Sequence, residues 1–273
     1  MKWSKLFLVA VGMLGAAIVA PAARAQTADG YWQEVQKRGV LRCGAAIAPP
    51  HVMRDPLTGA YSGLFVDFCN EFAEKALGVK AEMVDTTWDN IVAGLQAGRW
   101  DLSMAINRTP KRALAIAFSA PVWAYQISLV YDKANPKLKD PKSLADVDVA
   151  GVTIAVKTGS AEDAAMTANV KNATIMRLAD VDANRLAVSS RRADIVVEDS
   201  DANALFVATD PNRWVAMFPQ PAVAKQGIAY GLRRSATAAD VDVLNIFLEE
   251  KAATGQTATI FQTYVDKIVG GTK

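Results

Sequence analysis

The chain has 273 residues, 51% of them hydrophobic, and its 30 Lys and Arg against 28 Asp and Glu leave a formal charge of +2. Without Lys2, Lys5 and Arg24, which lie in the first 25 residues, that charge is about −1, which excludes the basic footprint of a nucleic-acid or anionic-membrane binder. The single histidine, His51, excludes histidine-based zinc sites and metal triads.

The first predicted element is an export segment over residues 1–25. Lys2 and Lys5 precede an apolar stretch at 6–20, and Ala23, Arg24 and Ala25 form a cleavage triplet, the pattern of a secretory signal peptide. The stretch is short for a bilayer span, and no later run of about 18 apolar residues follows, so the expectation is a soluble exported protein. No cysteine lies close behind the triplet to carry a lipid, which favours a free periplasmic protein. The remaining length suffices for one large core or two modest ones.

From there strand-like and helix-like runs alternate, the pattern of an α/β protein with mainly parallel sheets covered by helices. "ADGYWQEVQKRG" reads as a helix with Asp29 as N-cap and Gly39 as its stop. "VLRCGAAI" reads as the first strand, followed by a Pro/Gly-rich loop at 49–63 and the helix "GLFVDFCNEFAEKALG". Cys43 on that strand and Cys69 on that helix, the only cysteines, form either a disulfide in an oxidising compartment or two buried thiols. "VKAEMV" is the next strand, Thr87 is the expected cap of the helix "WDNIVAGLQAG", and "WDLSMAI" follows as a strand. "YDKANPKLKDPKSLADVD" has the Pro, Lys and Asp content of a surface connection. "GVTIAV", "ATIMRL", "ADIVV" and "WVAMF" are further strands with helices between them, and residues 236–267 read as two helices without a strand. The stretches 90–105 and 184–199 share one plan of amphipathic helix, break, Asp and strand, which argues for two similarly built lobes.

Most catalytic templates lack their residues. A Ser-His-Asp arrangement would need His51, which sits in a Pro-rich loop with no nucleophile elbow near any serine. Neither a G-x-x-x-x-G-K-[ST] loop nor a G-x-G-x-x-G after a strand is present. Glu198 and Asp199 are adjacent acids at a strand end, read as one helix cap and one solvated side chain. Three features suit the binding of a small ion. The start of the helix at Thr158-Gly159-Ser160 either offers backbone N–H groups to an anion or is a plain N-cap. Arg112 either presents its planar fork to a carboxylate or faces solvent. Asp199, where α/β folds place ligands, either accepts bonds from an ammonium or caps a helix.

Seven stretches carry a family resemblance, in order along the chain: "RGVLRCG", "PP" with "YSGLFVDF", "WDNIVAGLQAGRWD", "TPKRALAIAFSAPV", "GVTIAVKTGS", "RADIVVEDSDA" and "GIAYGLRR". In these the chain resembles the family 3 solute-binding proteins of bacterial ABC transporters, the type II periplasmic binding proteins for amino acids. The resemblance implies a two-lobe α/β fold, each lobe a mainly parallel sheet flanked by helices, joined by two hinge crossings near 124–129 and 224–228. Residues 26–125 and 225–273 would build one lobe and 126–224 the other. It further implies that Arg112 holds a ligand's α-carboxylate together with backbone N–H groups around Ser160 and Ala161, that Asn107 contributes, and that Asp199 holds the α-ammonium. Ala105 is carried over as a ligand contact, and His51, Met53, Trp88, Trp123 and Tyr125 are candidates for the pocket wall. Lys111 is expected to be solvated, and Arg108 either enters the cleft or faces solvent.

The chain departs from the family pattern in three places. Gly63-Leu64-Phe65 replaces Gly-Phe-Asp although Asp67 is kept, His51 stands where an aromatic residue commonly follows the paired prolines, and the stretch from Asp101 to Arg112 is one residue shorter than in many members. The expectation is a monomeric, non-enzymatic binding component without metal or cofactor that delivers an amino acid, or an amino-acid-like compound such as an opine, to a membrane permease. A ligand-sensing accessory protein and a cyclohexadienyl dehydratase-like enzyme on the same fold are the alternatives.

Overall fold

The computed structural model describes Met1 and residues 30–270. The expected export segment, apart from Met1, and the expected cap Asp29 lie outside the described residues.

The alternation legible in the sequence is realised as α1 (Tyr31–Arg38), β1 (Val40–Ala45), β2 (Met53–Arg54), β3 (Tyr61–Ser62), α2 (Leu64–Glu71), β4 (Lys80–Asp85), α3 (Ile91–Gln96), β5 (Leu102–Asn107), α4 (Pro110–Ala113), β6 (Ala117–Phe118) and β7 (Trp123–Asp132). There follow β8 (Thr153–Lys157), α5 (Ala161–Asn169), β9 (Thr174–Leu178), α6 (Val181–Ser189), β10 (Ile195–Asp199), α7 (Ser200–Thr209), β11 (Trp214–Met217), β12 (Lys225–Leu232), α8 (Ala238–Ala253) and α9 (Gln256–Gly270). Gly39 ends α1 in the left-handed region at φ 75°, as expected of a helix stop. A π-helical segment at Phe72–Leu77 extends α2. The loop at 49–63 contains the short antiparallel pair β2–β3.

Thr87 does not cap α3. Its hydroxyl donates to the side chain of Asp89 and accepts from Asn90 Nδ2, and a turn delays the helix to Ile91. The physical reason is Trp88, whose indole turns inward and donates to the carbonyl of Ile47 at 3.0 Å, pulling the backbone out of a helical path.

The strands form one hydrogen-bonded path in the order β4-β1-β5-β12-β7-β10-β8-β9. Pairing is parallel for β1 with β4 and β5, and for β8 with β9 and β10. All six residues of β5 and all five of β10 are buried, as expected where helices cover both faces of a sheet. The two parallel halves are joined by β7 and β12, which run antiparallel to each other. Residues 123–126 of β7 pair with β12, whereas residues 127–131 pair with β10; residues 225–228 of β12 pair with β7, and from Ile228 onward the strand pairs with β5. Each of these strands therefore belongs to both halves, giving the expected two-lobe α/β architecture with two crossings.

Close packing fixes the first half. Trp100 fills the space above Gly44 and Gly94, where an added Cβ would meet its indole at 2.6 and 1.9 Å respectively, and its Nε1 donates to Ser103 at 2.8 Å. Cys43 and Cys69 are joined as a disulfide that pins α2 to β1, and both are fully buried. In the second half Val196 and Ala155 pack with Phe206 and Trp214.

Candidate functional site

Where the two halves face each other, the ends of β8 and β10 and the start of α5 approach the loop after β1, the turn before α3 and the strand β5. Ala48, His51, Trp88, Ala105, Asn107 and Ile228 from one half, with Lys157, Glu162 and Asp199 from the other, line a cavity of about 10 Å³. That is room for about one water molecule, whereas small-molecule sites usually offer about 300 Å³ or more. The halves are thus closed on each other, and a solute enters only if they part.

Of the residues singled out in the sequence, His51, Trp88, Ala105, Asn107 and Asp199 reach the cavity. Arg112 lies at its border, with Nη1 donating to the backbone and side-chain oxygens of Asn107, each at 3.4 Å, and Nη2 to the carbonyl of Gly159 at 3.2 Å, a bond between the two halves. Ser160 caps α5, its Oγ accepting from the N–H of Asp163 at 3.0 Å, and Ala161 is the buried first residue of that helix. Met53 is not brought to the cavity, because the β2–β3 pairing holds it opposite Ser62. Trp123 stacks on Phe261 with ring centroids 4.0 Å apart and donates to Asp201 at 2.9 Å, and Tyr125 donates to Gln226 at 3.4 Å and stands beside Glu162; neither lines the cavity itself, although each touches a residue that does or its neighbour. Lys111 and Arg108 are exposed.

Asp199 does cap a helix: its Oδ1 accepts from the N–H groups of Asp201 and Ala202 at 3.0 and 2.8 Å, leaving Oδ2 outside the cap. Burial pushes its carboxyl above the usual carboxylate range, opposed by Lys157 and His51. Glu198 departs from expectation. It is 1% exposed rather than solvated, because Lys157 on the neighbouring strand places its Nζ 2.5 Å from Oε2 and Asn184 donates to Oε1 at 3.0 Å. Lys157 is itself buried, and its Nζ lies 5.7 Å from the Trp88 ring centroid. Burial opposes its charge, yet Glu198, then Glu162 and Asp199, outweigh that effect and raise its pKa above the ordinary lysine value. For Arg112 burial prevails over the nearby Glu162 and Tyr125 and lowers the guanidinium below its ordinary range.

Lys157 and Glu162 escaped the sequence reading. A lysine ending the apolar run "GVTIAV" and an acid two residues after the cap Ser160 were the available signals.

Two backbone features mark the same place. Ala105 sits in β5 at φ 51°, and the pairing of β5 with β12 shifts register between Ala229 and Gly231. A non-glycine residue held in that conformation is strained, and such strain clusters at functional sites. Gly159, at φ 73°, approaches the other half so closely that an added Cβ would lie 2.6 Å from the Asp89 Cα. His51, 1% exposed, lies among Phe65, Trp123 and Phe261, with its Nε2 3.4 Å from Asp201 Oδ2 and neither ring nitrogen hydrogen-bonded.

The family model for bacterial extracellular solute-binding proteins, family 3, matches residues 41–267. The chain is similar to a probable histidine-binding protein of Campylobacter jejuni, with 23% identity over 204 residues, 74% of this chain and 76% of that protein. It is also similar to the cyclohexadienyl dehydratase of Pseudomonas aeruginosa, with 28% identity over 146 residues, about half of either chain (52% of each). Among solved structures it resembles the ancestral amino acid-binding protein AncCDT-1, a precursor of cyclohexadienyl dehydratase, at 27% identity and a TM-score of 0.76, covering 87% of this chain and 100% of that one.

Proposed function

The chain belongs to family 3 of the bacterial extracellular solute-binding proteins, and from that premise we propose that it captures an amino acid between its two lobes and delivers it to the permease of an ABC transporter. The lobes divide at 125/126 and 224/225, the protein acts as a monomer in the periplasm, and a cleaved signal peptide takes it there. The observation that carries this reading is the meeting of Arg112 and Asn107 from one half with the start of α5 and Asp199 from the other around a single closed cavity.

Arg112 takes the α-carboxylate, exchanging the weak bonds to Asn107 and Gly159 for a charge-assisted pair, while N–H groups at the start of α5 complete the carboxylate's shell. Asp199 takes the α-ammonium with the oxygen its cap leaves over. Because these groups sit on opposite lobes, both ends of the solute are engaged only when the lobes close around it, in a form wider than the cavity of about 10 Å³, and binding shifts the population toward that form. Hydrogen bonds to charged groups contribute about 1.5–3 kcal/mol each, so three or four reach the roughly 8 kcal/mol of micromolar binding once closure is deducted.

A thermal-shift screen of the mature protein against the common amino acids tests this: at least one should raise the melting temperature, and Arg112→Ala should abolish that rise while leaving the unliganded melt in place. A screen without any stabilising amino acid or close analogue would refute the reading. The second reading, a dehydratase, is favoured by one specific observation, the buried Lys157 and Glu162 lining the cavity, with Glu198 paired to Lys157, which are groups able to move protons. Turnover of prephenate or arogenate by the purified protein would establish it in place of transport.

A further inference from the structure

We propose, building on the amino-acid reading above, that the solute carries net positive charge: an amino acid whose side chain ends in a second cationic group. The ground is the charge inventory of the closed cavity. Glu162, Asp199 and Lys157 line it, Glu198 is paired with Lys157 and Arg112 stands at the border, so that three buried acids face two cations.

Lys157 is committed to Glu198 at 2.5 Å. Arg112 donates only to carbonyl and amide oxygens, and Glu162 is the nearest source of compensating charge for it. A neutral zwitterion brings one carboxylate and one ammonium. Its carboxylate claims Arg112 and its ammonium satisfies Asp199, so Glu162, beside the Tyr125 hydroxyl, then shares the charge of Lys157 with Glu198, and the site keeps one buried negative charge in excess, a costly arrangement in a closed site. A solute with one more cationic group removes the imbalance.

The cavity also offers that group somewhere to donate. His51 lines it with two ring nitrogens that make no hydrogen bond, one of which is an acceptor when the ring is neutral, whereas Asp201 Oδ2, 3.4 Å from Nε2, already accepts from the Trp123 indole at 2.9 Å. The Trp88 face already serves Lys157, so the acids and His51 are the remaining partners for an incoming cation.

Calorimetric titration of the mature protein with two pairs of cationic and neutral amino acids tests the assignment: arginine against its isostere citrulline, and lysine against norleucine, which lacks the terminal ammonium. The expected result is that a cationic member binds about 10- to 100-fold more tightly than its neutral partner, the weight of one charge-assisted hydrogen bond, and that Glu162→Gln narrows the ratio by a similar factor. Equal binding within both pairs, preference for a neutral or acidic amino acid, or an unchanged ratio in Glu162→Gln would overturn the proposal while leaving amino-acid capture intact. Binding of no amino acid at all would overturn both.

Discussion

The ammonium of Lys157 stands 2.5 Å from the carboxylate of Glu198, with both side chains closed off from solvent beside the cavity. Removing one member leaves the other charge buried and unpaired, so Lys157→Met and Glu198→Gln should each cost about 3–5 kcal/mol in urea unfolding, whereas replacing both with apolar residues should recover most of that loss. The pH response separates the pair from simple packing. Because the folded pKa of Lys157 is raised, its contribution is fully present below the unfolded lysine pKa and is lost as pH climbs through the higher folded value. The wild type should therefore lose stability on the alkaline side by an increment that the doubly apolar variant lacks.

Closure has a steric gatekeeper in Gly159. A methyl group there would lie 2.6 Å from the Asp89 Cα of the opposite half, and the residue's φ of 73° disfavours any side chain. Backbone cannot yield as a flexible side chain does, so Gly159→Ala should hold the halves apart. Its solute affinity should fall about tenfold or more with the far-ultraviolet spectrum unchanged, and small-angle scattering with saturating solute should give a larger radius of gyration than the wild type. A closed, wild-type scattering profile would contradict the steric account.

The strand and helix order was readable because hydrophobic runs, glycine stops and turn residues are local signals, as at Gly39 and in the fully buried strands β5 and β10. Asp199, Asn107 and His51 were reachable for a different reason: each lies at a strand end or in a loop beside a stretch whose pattern resembles known sequences. Lys157 and Glu198 were not, since their pairing depends on the register between β8 and β10, which no short window encodes. Thr87 failed as a cap for the same kind of reason. The inward turn of Trp88 toward Ile47 is a tertiary contact that overrides local capping propensity.

The disulfide between Cys43 and Cys69 spans 26 residues and ties the first strand to α2 within the core. Chain-entropy arguments assign a loop of that length about 3.5 kcal/mol through restriction of the unfolded chain. The Cys43→Ala, Cys69→Ala double variant should lower the urea midpoint accordingly, without altering solute affinity in the folded protein, because neither residue lines the cavity. Loss of binding at temperatures where that variant remains folded would place the bridge in the binding mechanism.

Asp199 should make folding and binding respond to acid in opposite directions. Burial raises its carboxyl pKa in the folded chain, so its contribution to folding stability is fully present below the unfolded carboxylate pKa and is lost as pH rises through the folded value. Binding an ammonium requires the ionised form. Solute affinity should therefore fall as pH drops through that same folded value, by about tenfold per unit once protonation is dominant, while the unliganded protein gains stability from this group. Asp199→Asn keeps an oxygen to cap α7, so the helix should survive while both the tight binding and its acid dependence disappear. Titrations from pH 7 to pH 4 on the wild type and Asp199→Asn, alongside thermal melts without solute, would reveal the opposed slopes; parallel slopes would mean that Asp199 does not hold the ammonium.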